Sequence, residues 1–232
     1  MSATTTRDTI PGRLLAVRER ISRACERAGR SPAGVTVIGV TKTWPARVVV
    51  EAMAAGLTDF GENRVQEGVM KAAEVALATR NSQLATPTWH LIGHLQTNKV
   101  RAALGTFGIL HAVDSERLLR AIDAAATHPT LLMIEVNVAA EPTKYGIAPE
   151  QLPGLLAIAR DLPNTRVTGL MTVAPLAADP EDVRPVFRRV NSLAAEHGLE
   201  HRSMGMTGDF EVAIEEGATH IRVGRALFGE RL

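Results

Sequence analysis

The sequence predicts a (β/α)8 barrel, a closed parallel sheet with helices around the outside. Short apolar runs alternate with amphipathic stretches along all 232 residues, and this alternation is typical of parallel strands joined by crossover helices. Eight strand–helix units of about 29 residues each match the length of a βαβ repeat and the usual size of such barrels. An open, doubly wound sheet is the alternative, but no G-x-G-x-x-G follows the first predicted strand.

The predicted strands are short runs rich in apolar residues. They span residues 36–41, 59–61, 88–93, 109–113, 131–138, 166–172, 201–206 and 220–223. Seven predicted helices lie between them, at residues 45–55, 64–78, 96–104, 115–126, 149–161, 182–196 and 209–216. Few residues follow the eighth strand, so we expect an N-terminal helix, at about residues 13–28, to fill the gap in the outer ring.

Composition excludes several function classes. A net charge of +1 gives no field that would hold nucleic acid or an anionic membrane. Aromatic residues make up 3% of the chain, too few for the stacking platforms of a module for single-stranded nucleic acid. The one cysteine, Cys25, allows neither an internal disulfide nor a cysteine zinc cluster. Its place on an apolar helical stripe predicts an inert core thiol.

The sequence also bounds location and domain organisation. No apolar run reaches the length of a membrane span, and the N-terminus lacks the apolar region of a secretory signal. We therefore expect a cytoplasmic protein that is monomeric. We expect residues 1–232 to form a single barrel domain with no C-terminal β domain.

A lysine follows the first predicted strand, at the end of the barrel where active sites form. Lys42 comes directly after the apolar run 37–40, so its stem is expected to be partly buried in the barrel mouth. Poor solvation would lower the pKa of its ammonium group and free an amine nucleophile for a carbonyl compound. This segment alone favours the other interpretation, a lysine that only caps a strand in solvent.

The loops after the seventh and eighth strands resemble a phosphate site. The segment 201–209, which ends the seventh strand and opens a helix, contains hydroxyls, among them that of Ser203, and glycines, and Gly224 and Arg225 follow the eighth strand. These two loops are the usual phosphate site of such barrels, since glycine allows close backbone approach and amides donate hydrogen bonds. The glycines would also suit ordinary tight turns. A lysine facing a phosphate site predicts a phosphorylated aldehyde held as a Schiff base, of which pyridoxal 5′-phosphate (PLP) is the common example.

Three other segments carry side chains that could have a function. Asn63, after the second strand, could bond a ligand ring or cap the next helix. His90 and His94 are four apart, but the strand pattern between them argues against a helical zinc site, and we predict no metal. Tyr145, the only tyrosine, lies after the fifth strand in a segment that could be a lid or an ordinary loop.

Several stretches, in order over nearly the whole chain, resemble the pyridoxal-phosphate homeostasis protein family, whose members are similar to the N-terminal domain of alanine racemase. The matching stretches are residues 39–43, 60–67, 89–99, 136–137, 144–146, 169–172, 203–207 and 222–229. Each stretch alone is weakly specific, whereas the combination is highly specific. The departures from the family pattern are Thr207, Gly208 and Arg225; only the first keeps the hydroxyl expected there.

The resemblance implies a role for each candidate residue. Lys42 would form the Schiff base with PLP, and Asn63 and Met204 would lie against the ring. Ser203 would hold the phosphate together with backbone amides near Gly224 and Arg225. Arg222 would face the pyridine nitrogen.

The residue facing the pyridine nitrogen also bears on catalysis. A guanidinium only donates hydrogen bonds, so Arg222 would favour an unprotonated pyridine, a weak electron sink. The related racemases bring a second base, a tyrosine, from a C-terminal β domain, and Tyr145 is a poor substitute in a loop. We therefore predict no catalytic residues and a carrier that buffers PLP or delivers it, transiently, to apo-enzymes.

Two other functions stay open at this point. One is a PLP-dependent amino-acid racemase of low activity. The other is a barrel that binds an unrelated phosphate ester noncovalently, with Lys42 as a point charge.

Overall fold

The eight predicted strands close into one parallel barrel in the computed structural model, which describes residues 8–230. Each strand pairs with the next, and the first pairs with the eighth. The prediction of a (β/α)8 fold is therefore confirmed. The strands are β1 Thr36–Val40, β2 Asp59–Glu62, β3 Thr88–Leu91, β4 Ile109–Val113, β5 Thr130–Glu135, β6 Thr165–Met171, β7 His201–Met206 and β8 His220–Val223.

Helices follow every strand on the outside of the barrel. Their bounds are α1 Ile10–Arg27, α2 Ala46–Ala54, α3 Val65–Thr79, α4 Val100–Leu104, α5 Glu116–Ala125, α6 Leu152–Arg160, α7 Arg184–Glu196, α8 Phe210–Glu215 and α9 Arg225–Phe228. The last, a single turn, was not predicted. The predicted helix 96–104 is split, since residues 97–99 form a 3-10 turn before α4. No helix among the described residues is long and apolar enough to cross a membrane.

The N-terminal helix fills the outer ring as expected. It begins after Thr9, whose hydroxyl accepts the N–H of Gly12, and Pro11 lies in its first turn, where a missing N–H costs nothing. Its apolar face, which includes Cys25, is buried against α8 and α9. Cys25 has no exposed surface, and burial raises its pKa, with Arg30 opposing that effect. The prediction of a core thiol is therefore confirmed.

The apolar core lies mainly between the sheet and the helices, while the barrel interior is partly polar. His90, His111 and Ser203 are fully buried, and His220 and Arg222 nearly so. The hydrogen bond between His111 on β4 and Ser203 on β7 crosses the interior between strands that are not neighbours. The barrel is thus filled in part by hydrogen-bonded side chains rather than by the branched apolar residues usual in this fold.

The N-terminal residues 1–7 and residues 231–232 lie outside the described residues, so the predicted lack of a secretory signal falls partly there.

Candidate functional site

A cavity of about 530 Å³ opens at the carboxyl ends of the strands, the end where sites form in this fold. Five of the seven predicted site residues line it: Lys42, Asn63, Arg222, Gly224 and Arg225. They come from the ends of β1, β2 and β8, which are neighbours in the closed sheet. Closure of the barrel therefore brings together residues that are up to 183 positions apart in the sequence.

The turn that carries Lys42 is held on both sides. The carbonyl oxygen of Thr41 accepts a hydrogen bond from Lys71 Nζ at 2.6 Å, and the N–H of Thr43 donates to Glu67 Oε1 at 2.5 Å. Thr43 has a φ of 70°, a left-handed conformation that is uncommon for a β-branched residue. Such a conformation persists only where the surroundings fix it. The backbone around Lys42 is therefore constrained on both flanks.

A buried ionic cluster lies behind this turn. Lys71 Nζ also donates to Glu62 Oε1 at 2.5 Å and to Glu67 Oε1 at 3.1 Å, and the Thr41 hydroxyl donates to Glu62 at 2.6 Å. Burial raises the pKa of Glu62 despite these bonds. In Glu67, by contrast, the bonds from Thr43 and Lys71 outweigh burial and lower the pKa. The cluster fixes the end of β1, and no single stretch of sequence indicated it.

Asn63 does not cap the following helix. Helix α3 begins at Val65 with Arg64 at the cap position and no side-chain cap bond. Instead, Asn63 lines the cavity, and its Oδ1 is buried with no hydrogen-bond partner among residues 8–230. A buried acceptor without a partner is costly unless a ligand or water satisfies it. Of the two interpretations of Asn63, the structure excludes the cap.

Arg222 is 5% exposed and is held by three hydrogen bonds. Nη1 donates to the carbonyl oxygen and the hydroxyl of Ser203 at 2.7 and 2.8 Å, and Nη2 donates to the carbonyl oxygen of Thr172 at 2.7 Å. Burial lowers its pKa to about 10, with Glu135 and Asp209 opposing that effect. The group is therefore a fixed cation at neutral pH. In the described chain these bonds leave Nε–H and one N–H of Nη2 for a cavity ligand.

Ser203 and Met204, both predicted to touch a ligand, do not line the cavity. The Ser203 hydroxyl is fully buried between Arg222 and His111, at 2.8 and 2.9 Å. Met204 is fully buried in the outer apolar core. Successive side chains of a strand point to opposite faces, so these two residues cannot both face the interior. The structure thus places Ser203 beneath Arg222 and Met204 behind the sheet.

The end of β7 and the loop after it, beyond Ser203 and Met204, do line the cavity. Gly205 has a φ of 91° and lies at a register irregularity between β7 and β8. Beyond it, Thr207 and Asp209 line the cavity, and Thr207 Oγ1 lies 3.5 Å from the backbone N of Ala226 in α9, just after β8. Asp209 Oδ1 accepts the N–H of Met206 at 2.5 Å, and burial raises the pKa of this carboxyl. The hydroxyl available to a ligand here is that of Thr207.

Sequence reasoning also missed Glu135, at the end of β5. This carboxyl is 6% exposed, and burial raises its pKa to about 7, with the charge of Arg222 opposing the effect and that of Asp114 adding to it. In the sequence, Glu135 is only a glutamate at the end of an apolar strand, which by itself indicates no function. Its proximity to Arg222 is apparent only in the closed barrel.

The only tyrosine lies outside the cavity lining. The ring of Tyr145 stacks on that of His94, with centroids 4.4 Å apart and planes 14° apart, and Tyr145 is 60% exposed. His94 in turn lies 3.5 Å from Asp114. The segment around Tyr145 is tied to the rim through Lys144, whose Nζ donates to the carbonyl oxygen of Ala174 at 2.8 Å.

Comparison with known proteins agrees with this geometry. The family model of the alanine racemase N-terminal domain matches residues 13–232. A pyridoxal phosphate homeostasis protein of Aquifex aeolicus is 45% identical over 228 residues, which cover 94% of this chain and 97% of that protein. Its counterpart in Pseudomonas aeruginosa is 41% identical over 228 residues, which cover 96% of each chain.

Solved structures give the same result. PipY of Synechococcus elongatus, solved with PLP bound, superposes on this chain with a TM-score of 0.81 at 36% identity. The match covers 95% of this chain and 100% of PipY. The alanine racemase of Corynebacterium glutamicum, at 17% identity and a TM-score of 0.65, shares the fold; the match covers 93% of this chain and 61% of the racemase. The chain therefore belongs to the pyridoxal phosphate homeostasis protein family, whose barrel is related to the N-terminal domain of alanine racemase.

Proposed function

We propose that this chain binds PLP through Lys42 and buffers or delivers it, rather than catalysing a reaction of its own. The observation that carries the proposal is that Lys42, Arg222 and the loops after β7 and β8 line one cavity. Family membership supports it, because relatives are named for pyridoxal phosphate homeostasis and PipY has been solved with PLP. When bound, PLP supplies an aldehyde that condenses with a primary amine and a ring that withdraws electrons.

The residues present fit this cofactor. The unpartnered Oδ1 of Asn63 offers an acceptor for a hydroxyl on the ligand. The N–H groups that Arg222 has left would reach a ring nitrogen as donors. At the other end of the cavity, the Thr207 hydroxyl, the backbone around Gly224 and the cation of Arg225 would hold a phosphate. The predicted phosphate role of Ser203 is not part of the proposal, because its hydroxyl is already committed to Arg222 and His111.

Two features favour a carrier over an enzyme. A fixed guanidinium at the ring nitrogen keeps that nitrogen unprotonated, which limits stabilisation of a carbanion. Racemisation also needs a proton donor or acceptor on each face of the substrate. Tyr145, the phenol that could serve, is stacked on His94 away from the cavity lining. We therefore propose that PLP leaves this site for apo-enzymes.

Absorbance and reduction test the binding. Protein mixed with PLP should show the visible band of a Schiff base, and borohydride should fix one PLP on the peptide that contains Lys42. The variant Lys42→Ala should lose both signals. Lys99→Ala removes another partly buried lysine, outside the cavity lining, and should keep both. A wild-type complex without the band would favour a noncovalent phosphate site, and an adduct of unchanged yield in Lys42→Ala would refute the lysine assignment.

Turnover and transfer test the carrier role. PLP-loaded protein incubated with L-alanine and other amino acids should yield no more than one equivalent of D-amino acid or other product. Repeated turnover would instead establish the racemase alternative. Delivery predicts that an apo-enzyme is activated faster by the loaded protein than by the same concentration of free PLP.

A further inference from the structure

A line of hydrogen-bonded polar side chains runs through the barrel interior and ends at Arg222. Asp59 Oδ1 lies 3.0 Å from His90 Nε2, and His90 Nδ1 lies 2.9 Å from His111 Nε2. His111 Nδ1 lies 2.9 Å from Ser203 Oγ, which lies 2.8 Å from Arg222 Nη1. The line starts at the first residue of β2, where Asp59 is 22% exposed, and ends beside the cavity at the opposite end of the barrel.

The chemistry of the two ends restricts where the protons lie. Arg222 can only donate, so Ser203 Oγ accepts at that end. An ionised Asp59 can only accept, and bonds from His90 and Thr58 outweigh burial and lower the pKa of its carboxyl. His90 therefore donates from Nε2 to Asp59. If His90 is neutral, its Nδ1 must accept, and each following contact is then determined in turn.

With both imidazoles neutral, one arrangement satisfies every contact. His111 donates from Nε2 to His90, and the Ser203 hydroxyl donates to His111 Nδ1 while accepting from Arg222. All four hydrogen bonds then point the same way, from the guanidinium cation to the Asp59 carboxylate. The dipoles of the chain are aligned between opposite charges at its two ends, which is the favourable orientation.

The surroundings of His111 favour its neutral form. The ring of His220 lies with its centroid 6.3 Å from that of His90 and 6.0 Å from that of His111, and that of His201 lies 5.0 Å from that of His220. Burial lowers the pKa of His111 well below its usual range and that of His220 to about 3, and neighbouring cations act in the same direction. A charged imidazole would be a second buried cation beside Arg222.

We propose that Asp59, His90, His111 and Ser203 are positioning residues that form a one-directional hydrogen-bond chain and hold the guanidinium of Arg222 in its orientation. The aligned bonds run from the buried cation to the Asp59 carboxylate, while the carboxylates that act directly on the charge of Arg222 are those of Glu135 and Asp209. The line also commits the Ser203 hydroxyl, so that Nη1 is used up on Ser203 and one N–H of Nη2 on Thr172, which leaves Nε–H and the second N–H of Nη2 for a cavity ligand. The expected effect on PLP binding rests on the proposed function, whereas the existence and direction of the hydrogen-bond chain do not.

Histidine side-chain NMR on the ligand-free, full-length protein tests the chain directly. In ¹⁵N-labelled protein at neutral pH, His90 and His111 should each carry one ring proton, on Nε2, with Nδ1 unprotonated. A proton on both nitrogens of His90, or on Nδ1 of His111, would mean that the direction reverses at His111 and would overturn the proposal. This measurement is independent of whether PLP binds, so its result separates the chain from the proposed function.

A matched pair of variants tests the effect on Arg222. Asp59→Asn removes the charge at the end of the hydrogen-bond chain, at a partly exposed position. It should shift the ring ¹⁵N signals of His111, although Asp59 is bonded to His90 and not to His111. It should also weaken PLP binding about tenfold, or about 1.4 kcal/mol. Asp123→Asn removes a carboxylate that is not part of the hydrogen-bond chain and accepts the N–H of Asn164. It should change neither the His111 signals nor the PLP affinity. Unchanged His111 signals and PLP affinity in Asp59→Asn would refute the positioning role.

Discussion

Glu135 gives the protein a pH dependence of stability that a single substitution should remove. Its carboxyl lies at the end of β5, 6% exposed, and burial raises its pKa from 4.5 to about 7. The substitution Glu135→Gln replaces it with a neutral group of nearly the same shape, close to the protonated carboxyl. We expect the variant to match the wild type in acid and to be more stable at alkaline pH.

The sign and size follow from proton linkage. Below pH 4.5 the carboxyl is protonated in both folded and unfolded chains, so its contribution is fully present. As the pH rises towards 7, the unfolded chain releases its proton while the folded chain retains it, and stability falls. A change from 4.5 to about 7 corresponds to about 3 kcal/mol at about 1.36 kcal/mol per pKa unit. Most of this loss is expected between pH 5 and pH 8.5.

Urea denaturation of both proteins across this pH range measures the difference. The buried histidines also make stability depend on pH: because their pKa values are lowered in the folded protein, stability falls as the pH falls, opposite to the effect of Glu135. Both proteins share this contribution, so it cancels when the free energy of unfolding of the wild type is subtracted from that of the variant. Glu74→Gln, on the exposed face of α3, is the matched control and should give a flat difference. A flat difference for Glu135→Gln, within about 0.5 kcal/mol, would show that Glu135 ionises in the folded protein as it does in the unfolded chain.

Two further predictions concern the walls of the site. Gly93→Ala would place a Cβ 2.4 Å from the carbonyl oxygen of Asn63, so urea denaturation should show a loss of about 1–3 kcal/mol, together with weaker PLP binding. Gly154→Ala, with open space around a Cβ in α6, should instead gain about 0.5–1 kcal/mol. Lys71→Met should cost about 3–5 kcal/mol, because it leaves Glu62 buried without its cation. Adding Glu62→Gln should recover much of that loss, and no recovery would contradict the pairing.

Most of the fold could be predicted because each unit carries its own local signal. Eight apolar strands and eight of the nine α-helices within residues 8–230 follow from periodicity, and closure follows from the number of strands. The missed helix, α9, is four residues long, too short for a helical period to show. The predicted strand 131–138 ends at Glu135 in the structure. Beyond it, Val136 still donates its N–H to the carbonyl oxygen of Met171 on β6, but it also forms an isolated bridge with Ile147 in the loop that follows. Local pattern thus predicts where strands begin better than where they leave the sheet.

Part of the candidate site was predictable from the positions of strand ends, although Glu135, which ends β5, was missed. Asn63 and Gly224 directly follow β2 and β8, Lys42 lies two residues after β1, and the carboxyl ends of all strands meet at one mouth. Ser203 was assigned to the phosphate because of its neighbours, although it lies inside β7. Had alternation been counted along 203–206, Ser203 and Met204 would have been placed on opposite faces, and the first free hydroxyl would have been Thr207.

The interior chain could not be predicted, for a physical reason. Each member, alone in its strand, resembles an ordinary polar residue, and the contact that joins His111 to Ser203 spans 92 positions and two strands that do not pair. Only the closed barrel places β4 opposite β7. The low aromatic content has a structural counterpart here, since imidazoles and a guanidinium occupy interior positions that apolar side chains usually fill. Burying them is costly unless every donor and acceptor is matched. The interior that supports Arg222 therefore depends on the direction of each hydrogen bond in the line from Asp59.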